Sequence, residues 1–460
     1  MAASEPNPDE QREPVARLRS PLPTRLRIGG GTAIRIEGTV SAADQGLRVR
    51  LGGRERPVDG VARSGAAGEL LWWAVLAVPA GTPAGPADVA LIAGGSELPL
   101  GSVELEAGAP PEAREAREGL IAICMATHEP RPEWLARQVD SIRAQSWEDW
   151  ICLISDDASS GDSFAALEQV VAGDPRFVVS RSTERLGFYA NFERALAMVP
   201  PEAGLVALAD QDDRWDPDKL QALHETLAGN PRALLAYSDM RIAAEDGTIL
   251  ADTYWYLGRN ASDDIASQMV NNAVTGAASL FRRELLATAL PFPPRASDDQ
   301  YHDHWLGLCA LARGELAFLD RPTYDYTRHG QSVTLQADAP WTAPPRGALG
   351  RVAMHWRRWT RRLRMGTTPL GWRDVYFDRY LMIRQLVAVL ELRLGDRIEP
   401  AKRRALARLA AAERSPRAAG WLIGRTLRPL IGRNETLGRE RVLLGSLLWR
   451  RLAAARARRG

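Results

Sequence analysis

Two different rhythms of apolar and polar positions divide this chain. Between residues 24 and 107, short alternating stretches at 33–40 and 47–51 and apolar runs at 70–78 and 88–93 are separated by turns such as G-T-P-A-G-P at 81–86. Several short strands at that spacing predict a small all-β, sandwich-like accessory domain. A charged, proline-containing stretch at 108–119 reads as a linker. From residue 120 the pattern becomes strand then helix: strands at 120–126, 150–155, 177–180 and 205–209, with helices at 132–145, 163–172 and 188–198 between them. That order predicts an α/β, Rossmann-like domain with a mostly parallel sheet. Beyond residue 235 the order loosens, and the stretch to about 340 is expected to complete the same domain. Residues 346–460 mix apolar and basic positions at helical spacing, clearest at 382–394 and 420–431, and predict a basic α-helical region. Residues 1–23, rich in Pro, Glu, Asp and Arg, read as a disordered tail.

Composition adds little until charge is divided along the chain. The 460 residues are 45% hydrophobic and 25% charged, ordinary for a globular protein. Three cysteines, two of them (Cys124 and Cys152) inside apolar runs, read as inert buried thiols in a reducing compartment. No basic-then-apolar leader and no long apolar span is apparent, so the expected location is cytoplasmic. The net charge of +2 conceals an asymmetry: residues 346–460 carry 28 Lys+Arg against 8 Asp+Glu, and everything before them is strongly acidic. The default reading of such a tail is a solvated helical surface. Its functional reading is peripheral attachment to an anionic membrane surface on the cytoplasmic face. No nucleic-acid module accompanies it, so no nucleic-acid partner is expected.

The densest chemistry lies at 205–215, L-V-A-L-A-D-Q-D-D-R-W, where a buried-type strand ends in Asp210, Asp212 and Asp213. Carboxylates this close repel one another, and a divalent cation with oxygen ligands would hold them together. The bland alternative is helix capping, with Asp216 as N-cap and Pro217 at the first helical position. Three further polar loops would open on the same sheet edge. They are Thr127-His128-Glu129, the segment from Asp156-Asp157 to Gly161, and the Gly187-to-Asn191 loop and helix start. Convergence on one edge is the arrangement by which open α/β sheets bind ligands.

With these motifs in hand, the stretch 120–334 resembles a family 2 glycosyltransferase of the GT-A fold, most closely the rhamnosyltransferase-like branch, whose acidic motif reads D-Q-D-D with Trp two residues later. The resemblance implies a nucleotide-diphosphate sugar donor, a glycan or lipid-linked acceptor and a divalent cation, Mg²⁺ or Mn²⁺. It implies that Thr127, His128, Glu129, Asp156, Asp157, Gly187, Asn191 and Asp210 bind the nucleotide. Gly276, Ala277 and Asp213 would line the donor-sugar pocket, and Asp212 and His329 would hold the metal. Asp303, in H-D-H-W, would be the general base. Thr327 stands where the family usually has Arg, with Arg328 next to it. A metal that stabilises the departing diphosphate and one carboxylate that takes the acceptor proton suffice for direct displacement with inversion. The rival from another class is a non-catalytic sugar-nucleotide or glycan-binding protein on the same fold. Trp72-Trp73 and Trp356/Trp359 read as packing residues rather than sugar platforms.

Overall fold

The computed structural model describes residues 15–41, 46–63, 69–108, 117–255, 263–329, 369–431, 433, 435–436 and 438–457. They form two compact units, residues 1–108 with 448–460, and residues 109–447. The part of the linker at 109–116, the region around residue 340, and Trp356 and Trp359 lie outside the described residues.

The first unit is a pair of sheets. One orders β1 (Ala16–Leu18), β3 (Thr32–Val40), β7 (Leu70–Val78) and β6 (Gly60–Arg63) as β1-β3-β7-β6. The other orders β2 (Arg25–Arg27), β9 (Ser96–Glu106), β8 (Gly85–Ala93), β4 (Arg48–Leu51) and β5 (Arg54–Pro57) as β2-β9-β8-β4-β5. Alternate residues of both sheets, among them Ile34, Ile36, Trp72, Val49 and Leu91, share one core. Trp72 and Trp73 are both fully buried, as packing residues should be. One expectation needs correcting: Ala16–Leu18 lies in the stretch read as disordered, yet it pairs antiparallel with Gly38–Val40. Three residues are too short for a periodic signal, and the partner strand supplies the order.

The second unit is built on a nine-stranded sheet. Its strands are β10 (Arg117–Thr127), β11 (Trp150–Asp156), β12 (Phe177–Arg181), β13 (Ala203–Ala209), β14 (Arg214–Trp215), β15 (Ala233–Ala243), β16 (Ile249–Ala251), β17 (Ser279–Arg282) and β18 (Glu315–Thr327). The order is β12-β11-β10-β13-β17-β15-β18-β14, with β16 paired to β15. The first four strands are mutually parallel, whereas β17 runs antiparallel to both neighbours. Ile121 to Met125 are fully buried, which accounts for an unbroken apolar run rather than an alternating one. Helices α1 (Pro132–Arg143), α2 (Gly161–Val171), α3 (Phe188–Ala197) and α4 (Lys219–Ala228) follow β10, β11, β12 and β14. In α1 the buried Leu135, Val139 and Ile142 fall on one face and join the core beneath the sheet. This is the GT-A architecture, Rossmann-like in its parallel half. A C-terminal helical region follows, with helices at Pro369–Val375, Leu381–Leu394, Pro400–Ala411, Pro416–Arg425 and Arg439–Ala457.

The chain direction reverses spatially between β10, which continues to β11, and β13, which lies on its other side. The crevice at such a switch point is where this class of sheet receives ligands. The capping reading of Asp216 and Pro217 is corrected. Helix α4 begins at Lys219 with Asp218 at the N-cap, and the Asp216 carboxylate accepts hydrogen bonds from both terminal nitrogens of Arg241. Arg241 also bridges to Asp325 on β18.

Asn191 of α3 fixes the tops of two parallel strands. Its Nδ2 donates to Thr127 O at 3.2 Å and Ser155 O at 2.9 Å, and its Oδ1 accepts from Ser155 Oγ at 2.6 Å. Asn191→Ala is expected to lower stability by about 1–3 kcal/mol, the cost of leaving buried polar groups unpaired. Asn191→Asp, which sets a carboxylate against two carbonyl oxygens, costs more. Urea unfolding measures both, and an unchanged midpoint for the aspartate variant would contradict this role.

Candidate active site

Strand register brings the polar loops together. Thr127 stands beside Asp156, and Met125 beside Ala209, so the loops after β10, β11 and β13 open on one edge. The Asp157 N–H donates to Thr127 O at 2.8 Å and closes the first two loops against each other. Asp156 is fully buried and works inside this turn. It accepts from the Ser159 N–H at 3.0 Å, from Ser159 Oγ at 2.5 Å and from Thr127 Oγ1 at 3.1 Å. Asp157 holds the next loop, accepting from the Leu186 N–H at 2.6 Å and the Gly187 N–H at 2.9 Å. Gly187 has φ 81°, a conformation that suits glycine, and it is the N-cap of α3. Glu129 accepts from the Ser160 N–H at 2.6 Å and from Ser160 Oγ at 3.0 Å, which lowers its carboxyl pKa.

His128 joins these loops to the acidic motif. Its ring Nδ1 lies 2.9 Å from Asp157 O, and its backbone is gripped by Gln211. The His128 N–H donates to Gln211 Oε1 at 2.9 Å, and Gln211 Nε2 donates to His128 O at 3.2 Å. Gln211 appeared in the sequence only as the second letter of D-Q-D-D, and nothing in its local pattern assigned it this clamp.

The carboxylates of the acidic motif differ in setting. Burial, with the charges of Asp212 and Asp303 nearby, raises the Asp210 carboxyl to about 7. Asp213 is fully buried. It accepts from the Thr327 N–H at 3.2 Å, its other oxygen has no hydrogen-bond partner, and burial with the neighbouring carboxylates raises its pKa. Asp212 is more accessible, and its Oδ2 lies 2.6 Å from His329 Nε2. The His329 ring packs on Trp134 with centroids 4.6 Å apart. Arg137 fixes the frame from below, donating to Asp212 O at 2.9 Å and to Thr327 Oγ1 at 2.7 Å. The threonine at the usual arginine position is therefore an acceptor for an arginine from α1.

Lys219 is the compensating charge that sequence reading missed. Its ammonium is buried, donates to Ala277 O, and lies over the rings of Trp215 (3.7 Å) and Tyr324 (4.4 Å). Burial lowers its pKa, while Asp213, Asp210 and Asp216 act in the opposite direction. A lysine at a helix start gives no sequence signal for such a position.

On the facing side, Asp303 opens the helix His302–Arg313. Its Oδ1 accepts from Asn272 Nδ2 at 2.9 Å and its Oδ2 from the Gly276 N–H at 3.1 Å, yet burial still raises its carboxyl to about 6. Gly276 and Ala277 lie in the buried turn Gly276–Ala278. A Cβ on Gly276 would come within 2.7 Å of His302 Nε2 and 3.5 Å of Leu208, so this turn, the helix His302–Arg313 and the end of β13 meet there. His302 stacks on Phe192 with centroids 3.8 Å apart. Burial lowers its pKa to about 3, and it stays neutral.

Asp212 and His329 fit a divalent cation. A carboxylate oxygen and an imidazole nitrogen converge, and no larger group of His, Cys, Asp or Glu suited to a metal occurs among the described residues. Few protein ligands, with phosphate oxygens and water completing the shell, is how Mg²⁺ and similar ions are held at nucleotide sites. Asp156 and Asn191 are engaged in internal contacts, Asp156 with an ion pair to Arg181 besides its hydrogen bonds. This leaves Asp210, Asp212 and Asp303 as the carboxylates grouped around one locus.

Residues 122–289 match the family model described as Glycosyl transferase family 2. An uncharacterized protein of Sinorhizobium fredii, y4gI, is 31% identical over 131 residues, 28% of this chain and 14% of its own length. An uncharacterized glycosyltransferase of Nostoc sp., alr2836, is 26% identical over 212 residues, 44% of this chain and 63% of its own length. The chain thus spans less than two thirds of either curated relative. Among solved structures, S. aureus TarS 1–349 with UDP-GlcNAc aligns over 74% of this chain and 92% of its own, at 12% identity and a TM-score of 0.42. The Pyrobaculum calidifontis mannosyltransferase PcManGT, solved with GDP-Man and Mn²⁺, covers 76% and 90% at 19% identity and a TM-score of 0.35. By motif order and the match over 122–289, that stretch of the chain is a glycosyl transferase family 2 domain.

Proposed function

We propose that the unit spanning residues 109–447 is an inverting glycosyltransferase. It moves a sugar from a nucleotide diphosphate to a hydroxyl of a glycan or lipid-linked acceptor during synthesis of a surface polysaccharide at the cytoplasmic face of the membrane. The observation that carries this reading is Asp303. It is a buried carboxylate, held by Asn272 and Gly276, raised to about 6, and close enough to Asp210 for their charges to interact. A base poised just below neutral pH is unprotonated in the cell yet basic enough to accept a proton.

In this scheme the acceptor oxygen attacks the anomeric carbon from the face opposite the leaving group. The bond from that carbon to the diphosphate oxygen breaks, and its electron pair leaves with the diphosphate. The acceptor proton passes to Asp303. Asp212 and His329 would hold a divalent cation, Mg²⁺ or Mn²⁺, whose charge offsets that developing on the diphosphate. The loops pinned by Asp157, His128 and Gln211 shape the nucleotide side, and the turn Gly276–Ala278 faces the sugar. The resemblance to the rhamnosyltransferase-like branch makes deoxythymidine-diphosphate rhamnose the first donor to test. A thermal-shift screen of nucleotide sugars with Mn²⁺ identifies the donor, because a ligand bound only to the native state raises its melting temperature. Chromatographic analysis of the products then tests transfer, and failure of every donor either to bind or to turn over would overturn the reading.

Three outcomes are expected of the site. Asp303→Asn lowers kcat about 10²–10⁴-fold with donor affinity retained. Turnover close to wild type would remove the base assignment. Wild-type kcat falls below about pH 6, roughly tenfold per pH unit, because the base is lost on protonation; the Asp303→Asn variant lacks that limb. Asp212→Ala removes the Mn²⁺-dependent part of nucleotide-diphosphate affinity in calorimetric titration, and affinity that is equal with and without this substitution would contradict metal ligation there.

A further inference from the structure

The helix Pro416–Arg425 and the turn Arg428–Ile431 carry an exposed apolar ridge. Ile423, Leu427, Leu430 and Ile431 follow helical spacing and are 53%, 56%, 79% and 77% exposed. Elsewhere in the unit 109–447, the large hydrophobics exposed among the described residues are the scattered Val178, Leu186, Ile249 and Tyr254, at 36–41%. Single exposed apolar residues are normal, whereas a cluster of this kind marks an interaction surface.

The exposed charge of the segment that carries the ridge has one sign. Residues 400–447 hold 11 Lys+Arg and 3 Asp+Glu. All three acids are turned inward: Glu413 accepts from Tyr376 Oη at 2.9 Å, and Glu435 and Glu440 are buried. Arg404, Arg408, Arg414, Arg417, Arg433 and Arg441 are exposed. The inner face of the helix is fixed: Arg425 donates to Asp264 at 3.1 Å and to Ser267 Oγ at 2.7 Å, and Arg428 also reaches Asp264. Trp421 is half-buried beside Arg408 and Arg425. A rigidly mounted apolar edge whose own segment exposes cations and turns its acids inward fits one partner chemistry, hydrocarbon beneath a layer of negative charge.

We propose that this ridge docks the unit onto the surface of an anionic bilayer, with Leu427, Leu430 and Ile431 entering the interfacial layer. No helix among the described residues is long and apolar enough to cross a membrane, so the contact is peripheral. Its anchor also adjoins the candidate base. Asp264 caps the short helix Ile265–Val270, Asn271 Nδ2 donates to Glu435 O at 3.1 Å, and the next residue, Asn272, donates to Asp303. Docking would therefore bring the acceptor side to the plane in which a lipid-linked acceptor lies, a purpose that rests on the glycosyltransferase reading; the docking itself does not.

Vesicle flotation of the full chain tests the proposal. The chain is expected to float with vesicles of phosphatidylcholine plus phosphatidylglycerol and far less with phosphatidylcholine alone, and added salt should weaken it. The double variant Leu430→Glu, Ile431→Glu should lose about tenfold or more in partitioning, since two apolar side chains no longer enter the interface. Arg414→Glu with Arg417→Glu should lose binding to the anionic vesicles only. All these positions are exposed, and donor hydrolysis in vesicle-free buffer should match wild type, which separates a docking defect from a catalytic one. Wild-type chain left unfloated on anionic vesicles overturns the proposal, as does a ridge variant that floats like wild type. So does a ridge variant whose sole change is loss of self-association in sedimentation, which would assign the ridge to a second copy of this chain.

Discussion

Around the end of β13 the protein packs carboxyl groups that repel one another, and the rest of the site is arranged about that repulsion. Asp210, Asp212, Asp213 and Asp303 interact electrostatically, while one buried ammonium, Lys219, stands against them. Its place over Trp215 and Tyr324 gives it aromatic faces in place of water, and Ala277 O takes one of its protons. Burial raises the carboxyl groups of Asp210, Asp213 and Asp303 and lowers the ammonium, each in the direction of neutrality. A cation entering beside Asp212 would reverse that pressure, and a diphosphate arriving with it would be drawn into a site otherwise hostile to anions.

Much of this was legible from the amino-acid pattern. The strand–helix rhythm from residue 120 gave the parallel half of the sheet, and the abrupt step from apolar run to carboxylates marked the switch-point edge. Strand ends fell within a residue or two because buried strands are bounded by sharp polarity changes, as at Ala209/Asp210. The start of α4 was less legible. Asp216 has the right residue type for a cap, yet Arg241, 25 positions away in sequence, claims its carboxylate. Only tertiary contact determines which use of an aspartate prevails.

The partners inside the site were not legible for the same reason. Gln211, Lys219, Asn272 and Arg137 act through long-range hydrogen bonds that leave no periodicity or spacing behind. Conversely, Asp156 and Asn191, taken with the nucleotide-facing residues, are spent on the scaffold. Motif position does not separate a side chain that faces a ligand from the one beside it that holds the loop. The register Thr127 to Asp156 does, since it shows which oxygens are already occupied.

Two residues in the nucleotide-side loops, Glu129 at φ 44° and Ala158 at φ 55°, adopt left-handed backbone without being glycine. Each such residue costs about 1 kcal/mol or more. The Glu129–Ser160 pair and the Asp156–Ser159 turn, both internal to the protein, offset that cost. The strain of these loops is thus carried by the protein's own hydrogen bonds, as part of the free energy of folding.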